Sequence, residues 1–330
     1  MASNLKIDLR QLNSFLTIAK RGSFSRASEA LFIAQPALSR QIRLLEEALD
    51  AELFVRHGRG VLLTTAGEVL YERAKGLLKD TEQLQTDVAA VSGTVTGQVK
   101  LGLLPTISNE LATMIVKQFR TLYPRVNLAV RSAMSGTLQQ MVSQQKLDLV
   151  ITYDQSKHKN LRHIPLIDER FFLIAPPDTE ISKRNTVNLD EVLNLPLILP
   201  EEKHGLRARM EKEAMQRHKK IDLAFEVSAW PLLSEMIKQQ LGYTILSSAT
   251  VSEMVERGEI VAVPIVKPEL YRSLAIATPG NRPASIAVRK LIEVIFYQVA
   301  QHVESGRWSG KLLFEKPVDC KHPCFSCTAD

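Results

Sequence analysis

Apolar residues recur every three or four positions through the first third of the chain, and the pattern then changes to short apolar runs. Between residues 8 and 21, Leu9, Leu12, Phe15, Leu16 and Ala19 share one helical face, with Asp8 placed as an N-cap and Gly22 as a stop. Residues 22–48 read as two short helices joined by a tight turn. In the first, Phe24, Ala27 and Leu31 make the apolar face, Ser25 is the expected N-cap, and Glu29 suits the positive end of the helix dipole. In the second, Pro36 suits the first turn, where its missing N–H has no intrahelical partner to lose. Leu38, Ile42, Leu45 and Leu49 then form one stripe, while Gln35, Ser39, Arg40 and Arg43 fall on another face. Strand-like runs at 52–54 and 61–63 flank VRHGRG, a hairpin from which Arg56, His57 and Arg59 would project.

Thr64 or Thr65 is positioned to cap a helix over about residues 65–92, with Glu68 in its first turn. Along it Leu70, Ala74, Leu77, Thr81, Leu84, Val88 and Val91 alternate spacings of four and three, the period of a coiled-coil seam. Such a helix is longer than a small domain needs and suits pairing with a second copy. GTVTG at 93–97 breaks it. Beyond lie VKLGLLP, NLAVRS and DLVITY, separated by helical stretches at 108–122 and 137–145, an alternation that predicts a mostly parallel sheet. FFLIAP, LPLILP, a charged helix near 206–217, LAFEVS, a helix near 231–240, YTILS, EIVAVPI, SLAIAT and a long helix over 284–303 follow. They suggest a second α/β lobe and a return to the first.

Composition narrows the class without naming it. The 330 residues are 45% hydrophobic and 24% charged, which excludes wholesale disorder, and a net charge of +6 permits nucleic-acid binding without requiring it. The distribution says more: residues 20–43 hold five bases against one acid, and residues 44–52 hold four acids and no base. Positive charge therefore gathers where a phosphate backbone would pass. No run of 18 apolar residues and no signal-peptide pattern is found, so a cytoplasmic protein without a membrane partner is expected. All three cysteines fall in the last 11 residues, as suits a reducing compartment.

The candidate chemistry lies in two places. Amides, guanidinium groups and hydroxyls are the side chains that read base edges in the major groove, so the 35–49 helix is read as a recognition helix. An ordinary helical hairpin with a solvated face would carry the same residue types. Arg59 on the hairpin suits the minor groove. In the α/β region, Thr106 and Ser108 follow one strand, and Ser135, Gly136 and Thr137 follow the next, each set at a helix start. Hydroxyls and free N–H groups there favour an anion, though Ser and Thr are also preferred caps. Thr152, Pro200, Trp230 and Thr244 follow later elements and could line the same cleft. No phosphate loop, H-E-x-x-H or G-x-S-x-G is present, His158 and His163 flank a loop without completing a catalytic motif, and the α/β body lacks cysteine. That argues against an enzyme, against catalytic residues and against a cofactor. A solute-binding protein would need a signal peptide, and an architectural DNA protein would not need the large α/β region. The tail from about 305 to 330 carries Cys320, His322, Cys324 and Cys327, soft ligands at short spacing, but structural zinc sites usually draw on two knuckles. It is read as a frayed extension with no metal.

FSRASEALFIAQPALSRQIRLLEEAL together with ELFVRHGRGVLLTTAG resembles the LysR-type transcriptional regulators, over most of the chain. The resemblance implies an α/β protein with a winged helix-turn-helix at its N-terminus (1–65), a dimerising linker helix (66–93), a two-lobed effector region like a periplasmic binding protein (94–304) and the tail (305–330). It implies that Ser25 and Arg26 approach phosphates, that Gln35, Pro36, Ser39 and Arg40 enter the major groove, and that Arg59 lies on the wing. The partners it implies are double-stranded promoter DNA, a small-molecule co-inducer between the lobes, further copies of the chain as a dimer and then a tetramer, and RNA polymerase. LILPEEKHGLRARMEKEA and DLVITYD are similar to the branch that includes the nitrogen assimilation control protein, some members of which act without an effector.

Overall fold

The computed structural model describes residues 7–58, 60–91, 93–107, 109–153, 160–202 and 204–315. The chain divides into two compact units that meet between Thr94 and Val95.

In the first unit, α1 (Leu9–Arg21) is capped reciprocally, the Asp8 carboxylate accepting from the Gln11 amide while the Gln11 side chain accepts from the Asp8 N–H. Gly22 ends it in a left-handed conformation. Leu12, Phe15 and Leu16 are buried as the pattern predicts, Ile18 joins them, and Leu9 lies exposed. Helix α2 (Phe24–Leu31) is capped by Ser23 rather than the expected Ser25, which sits inside the first turn. Helix α3 (Gln35–Leu49) buries Leu38, Ile42 and Leu45 and leaves Leu49 half-buried. The hairpin is shifted from its expected start: β1 is Phe54–His57 and β2 is Gly60–Leu63, paired antiparallel. The Glu46 carboxylate accepts the Leu53 amide at 2.8 Å and so diverts that N–H from the ladder, while the Leu53 carbonyl still takes the Thr64 amide. His57 belongs to β1 rather than to the turn. Helix α4 (Thr65–Val91) is capped by Thr64, whose Oγ1 accepts the Gly67 amide at 2.9 Å.

In the second unit, β3 (Gly97–Leu103) lies between β4 (Val126–Ser132) and β5 (Leu149–Tyr153), all parallel, with α5 (Asn109–Leu122) and α6 (Ser135–Ser143) as crossovers. The mostly parallel sheet expected from the sequence stops there. The next strand, β6 (Leu161–Ala175), is fifteen residues long and antiparallel to β12 (Tyr271–Pro279), which is itself antiparallel to β5. The near half of β6 belongs to the first lobe. Its far half carries the second lobe, pairing with β10 (Thr244–Ser247) and β11 (Val261–Val266). There alternation sorts the side chains: Phe171 and Leu173 face one apolar core, and Phe172 and Ile174 the other. Strand β7 (Val187–Asn188), α7 (Leu189–Val192), β8 (Leu197–Leu199), α8 (Gly205–Gln216), β9 (Leu223–Glu226), α9 (Trp230–Lys238) and α10 (Ser248–Glu256) complete that lobe. Helix α11 (Ile286–Glu304) returns to the first lobe and packs in its core.

The tail expectation requires a correction. Strand β13 (Gly310–Leu312) pairs with β6, and Trp308 is fully buried with its Nε1 donating to Glu169 at 3.0 Å. The chain is therefore built into the fold through Phe314, which packs on the first-lobe core beside Phe296. Cys320, His322, Cys324 and Cys327 lie outside the described residues.

Candidate DNA-reading face and effector cavity

The two faces of α3 divide as its periodicity requires. Leu38, Ile42 and Leu45 hold it to α1 and α2, and Gln35, Pro36, Arg40 and Arg43 are exposed beside a half-buried Ser39. Arg26 and Ser25 are exposed on α2. Ser25 Oγ donates to Gln35 Oε1 at 3.1 Å, so the Gln35 amide is oriented with its NH2 group available as donor. Arg43 meets Glu47 at 3.5 Å on open surface, a pair weak enough to exchange for a phosphate. Phe24, Phe54 and Ile42 form the apolar floor of a cleft rimmed by Pro36, Ser39, Arg40 and Arg43. The polar rim thus stands on rigid supports. Arg59 lies outside the described residues.

The expected seam on α4 splits into two parts. Ala74 is fully buried in the core of the first unit and so is closed to a second chain, and Leu70 is half-buried against the same core. Leu77, Leu84 and Val88 are 53%, 64% and 65% exposed, and Thr81 Oγ1 donates to the Leu77 carbonyl. The α4 helix is held by its own domain as far as Leu78, and the exposed apolar edge begins at Leu77.

In the second unit a cavity of about 250 Å³ opens between the lobes. Thr106, Ser135, Gly136, Pro200, Trp230 and Thr244 line it, drawn from separate stretches of chain. Thr152 does not line it but supports it from behind, its Oγ1 fully buried 2.7 Å from Ser135 Oγ. Thr137 is exposed outside the lining, and α6 starts at Ser135, two residues earlier than expected. Ser108 and His158 lie outside the described residues. Thr244 has its proton engaged, donating to the Ile198 carbonyl at 2.7 Å.

The most informative lining residues are ones the sequence did not single out, Tyr153 and His204. Tyr153 Oη lies 3.0 Å from Thr106 Oγ1, and its ring carries the Arg272 guanidinium at 3.7 Å. Burial pushes the Tyr153 pKa up against the opposing charge of Arg272, so the phenol keeps its proton. Arg272 is fixed in turn by Glu169, which also takes the Trp308 indole N–H. His204 caps α8, its Nδ1 accepting the Leu206 amide at 3.2 Å, which leaves the proton on Nε2. Burial, and then the Arg272 charge, lower its pKa below the ordinary 6.5, with Glu201 opposing. The imidazole is therefore a neutral donor. A histidine just before a glycine that opens a charged helix was the one signal for it in the sequence.

Two sequence patterns cover most of the chain. That of the LysR substrate binding domain matches residues 92–299, and that of the bacterial regulatory helix-turn-helix protein, lysR family, matches residues 9–68. The chain belongs to the LysR family.

Its relatives within that family are transcriptional regulators rather than enzymes. This LysR-type regulator is 28% identical over 309 residues to the HTH-type transcriptional regulator BbuR of Bordetella bronchiseptica, covering 94% of this chain and 95% of that protein. It is 29% identical over 290 residues to the nitrogen assimilation regulatory protein nac of Klebsiella aerogenes, covering 87% and 94%. Among solved structures it shares the fold of a full-length OxyR variant from Pseudomonas aeruginosa, with a TM-score of 0.67, 24% identity and coverage of 88% and 94%. Full-length BenM also shares the fold, with a TM-score of 0.56, 20% identity and coverage of 95% and 100%. LysR-type regulators as a class bind promoter DNA and small-molecule effectors and form oligomers. Among its described residues no helix is long and apolar enough to cross a membrane, and no cluster of His, Cys, Asp or Glu is arranged to hold a metal.

Proposed function

We propose that this regulator reads promoter DNA through residues 8–65, with Gln35, Pro36, Ser39 and Arg40 in the major groove, Ser25, Arg26 and Arg43 on phosphates, and Arg59 on the wing. The linker at 66–93 pairs two copies along the edge formed by Leu77, Thr81, Leu84 and Val88, and pairs of dimers assemble on the operator. The region at 94–304 binds a small anionic metabolite, which changes the contact of the assembly with RNA polymerase in the cytoplasm. The supporting observation is the pairing of Ser25 with Gln35, which orients an amide on the exposed face of a helix whose opposite face is packed. A group held in that way loses little freedom on meeting a base edge.

The test is a mobility-shift titration of the full chain on fragments flanking its own gene, with random DNA as competitor. Arg40→Ala is expected to weaken specific binding by about 1–3 kcal/mol while nonspecific binding changes little. Unchanged discrimination in Arg40→Ala would count against the assignment. A second reading, regulation without an effector as in the nitrogen-assimilation branch, is favoured if no metabolite alters the shift.

A further inference from the structure

The first lobe lines the cavity with three hydroxyl groups, Thr106, Ser135 and Tyr153, and their bonding says what the cavity lacks. Ser135 is 8% exposed and Tyr153 is 9% exposed, and both line the cavity. Each hydroxyl is paired with another hydroxyl, Ser135 with Thr152 and Tyr153 with Thr106. Two hydroxyls in contact have two O–H protons and use one between them, so each pair keeps a donor in reserve. Thr152 is fully buried, and the donor of its pair leaves through Ser135 into the cavity. Beside it the first turn of α6 has no side-chain cap, so its amide N–H groups add further donors and the positive end of a dipole. Donors of three kinds thus belong to the first-lobe side of the cavity. Their complement is a group with several lone pairs and a negative charge.

The second lobe supplies most of the apolar lining, Leu206, Val227, Trp230, Leu233 and Leu246, alongside His204 and Glu201, and Met134 lines the cavity as well. Indole faces and thioethers both favour an aromatic ring over an alkyl chain of the same size. The volume sets the scale: a cavity of roughly 150 Å³ holds benzene, so about 250 Å³ accommodates on the order of ten non-hydrogen atoms.

We infer that the cavity takes an aromatic carboxylic acid, its carboxylate against Ser135 and Tyr153 and its ring against Trp230. The inference rests on the cavity being the effector site. The full chain is titrated with phenylacetate and indole-3-acetate, followed by tryptophan fluorescence and by thermal midpoint, beside their carboxamides, acetate and succinate. Both aryl acids should quench fluorescence and raise the midpoint, and the carboxamides should bind roughly tenfold more weakly, the loss expected when a charged acceptor becomes neutral. Ser135→Ala should lose a similar factor and Ser135→Thr should retain binding. Trp230→Phe should remove the quenching and keep the thermal shift. No response to either aryl acid overturns the ligand class, as does tighter binding of acetate or succinate that Ser135→Ala abolishes, which leaves the site in place. Aryl-acid binding untouched by both Ser135→Ala and Trp230→Phe overturns the site as well.

Discussion

Glu169→Gln is the substitution that most directly tests how the second unit holds its cavity wall. Glu169 is 2% exposed, with one carboxylate oxygen accepting from Arg272 Nε at 2.9 Å and from Nη2, and the other accepting from Trp308 Nε1 at 3.0 Å. All of these partners are donors. A glutamine fills the same space but turns an NH2 group toward either the guanidinium or the indole, and it removes the charge that balances Arg272. The Arg272 side chain is only 15% exposed, so water replaces little of what is lost. Breaking one side of a buried pair costs about 3–5 kcal/mol, and the partial exposure of Arg272 places this case near the lower bound. Both tryptophans of the chain, Trp230 and Trp308, lie in the second unit, so fluorescence reports its unfolding without interference from the first. With a urea slope of about 3 kcal/mol/M the midpoint should fall by about 1 M. Replacing both partners, Glu169→Leu with Arg272→Met, should recover only part of that loss, because no unpaired charge remains but the buried Trp308 N–H loses its acceptor. If Glu169→Gln unfolds within about 0.3 M of the wild type, a shift too small for a broken buried pair, this account of the cavity wall is wrong.

Three further outcomes are expected. Leu77→Glu with Leu84→Glu should convert the oligomer to monomers in sedimentation velocity while leaving the fluorescence-detected unfolding midpoint unchanged, since both side chains are exposed within their own chain. The His204 imidazole is held below its ordinary 6.5, so the unfolded chain takes up a proton first as the pH falls. Stability from this residue is therefore complete above about pH 6.5 and declines below it, and His204→Asn, which keeps a capping side chain, should flatten the slope measured between about pH 7.5 and 5.5. Gly67→Ala would place a methyl group 2.2 Å from the Leu53 carbonyl oxygen, forcing α4 away from the hairpin. It should lower the stability of the first unit by about 1–3 kcal/mol in a circular-dichroism melt of the full chain, and an unchanged melt would show that α4 is not seated there.

The sequence alone determined those parts whose physics is local. Leu38, Ile42 and Leu45 declared the buried side of α3, Asp8 and Gly22 bounded α1, and the alternation of strand and helix announced β3 to β5, because capping and apolar periodicity act over three or four residues. Only the tertiary structure decided the rest. Ala74 fits the seam spacing yet is buried in the core of its own domain, since periodicity says that a side is apolar and not what covers it. The near half of β6 carries Arg162, Asp168, Glu169 and Arg170 and does not read as a strand, because the groups that make its burial tolerable, Arg272, Ser273 and Trp308, arrive from more than a hundred residues away. The cavity follows the same logic: Thr106, Ser135 and Trp230 were legible as residues that follow an element, whereas Tyr153 and His204 gained their roles from the chain's return between lobes, which brings a guanidinium over one and buries the other.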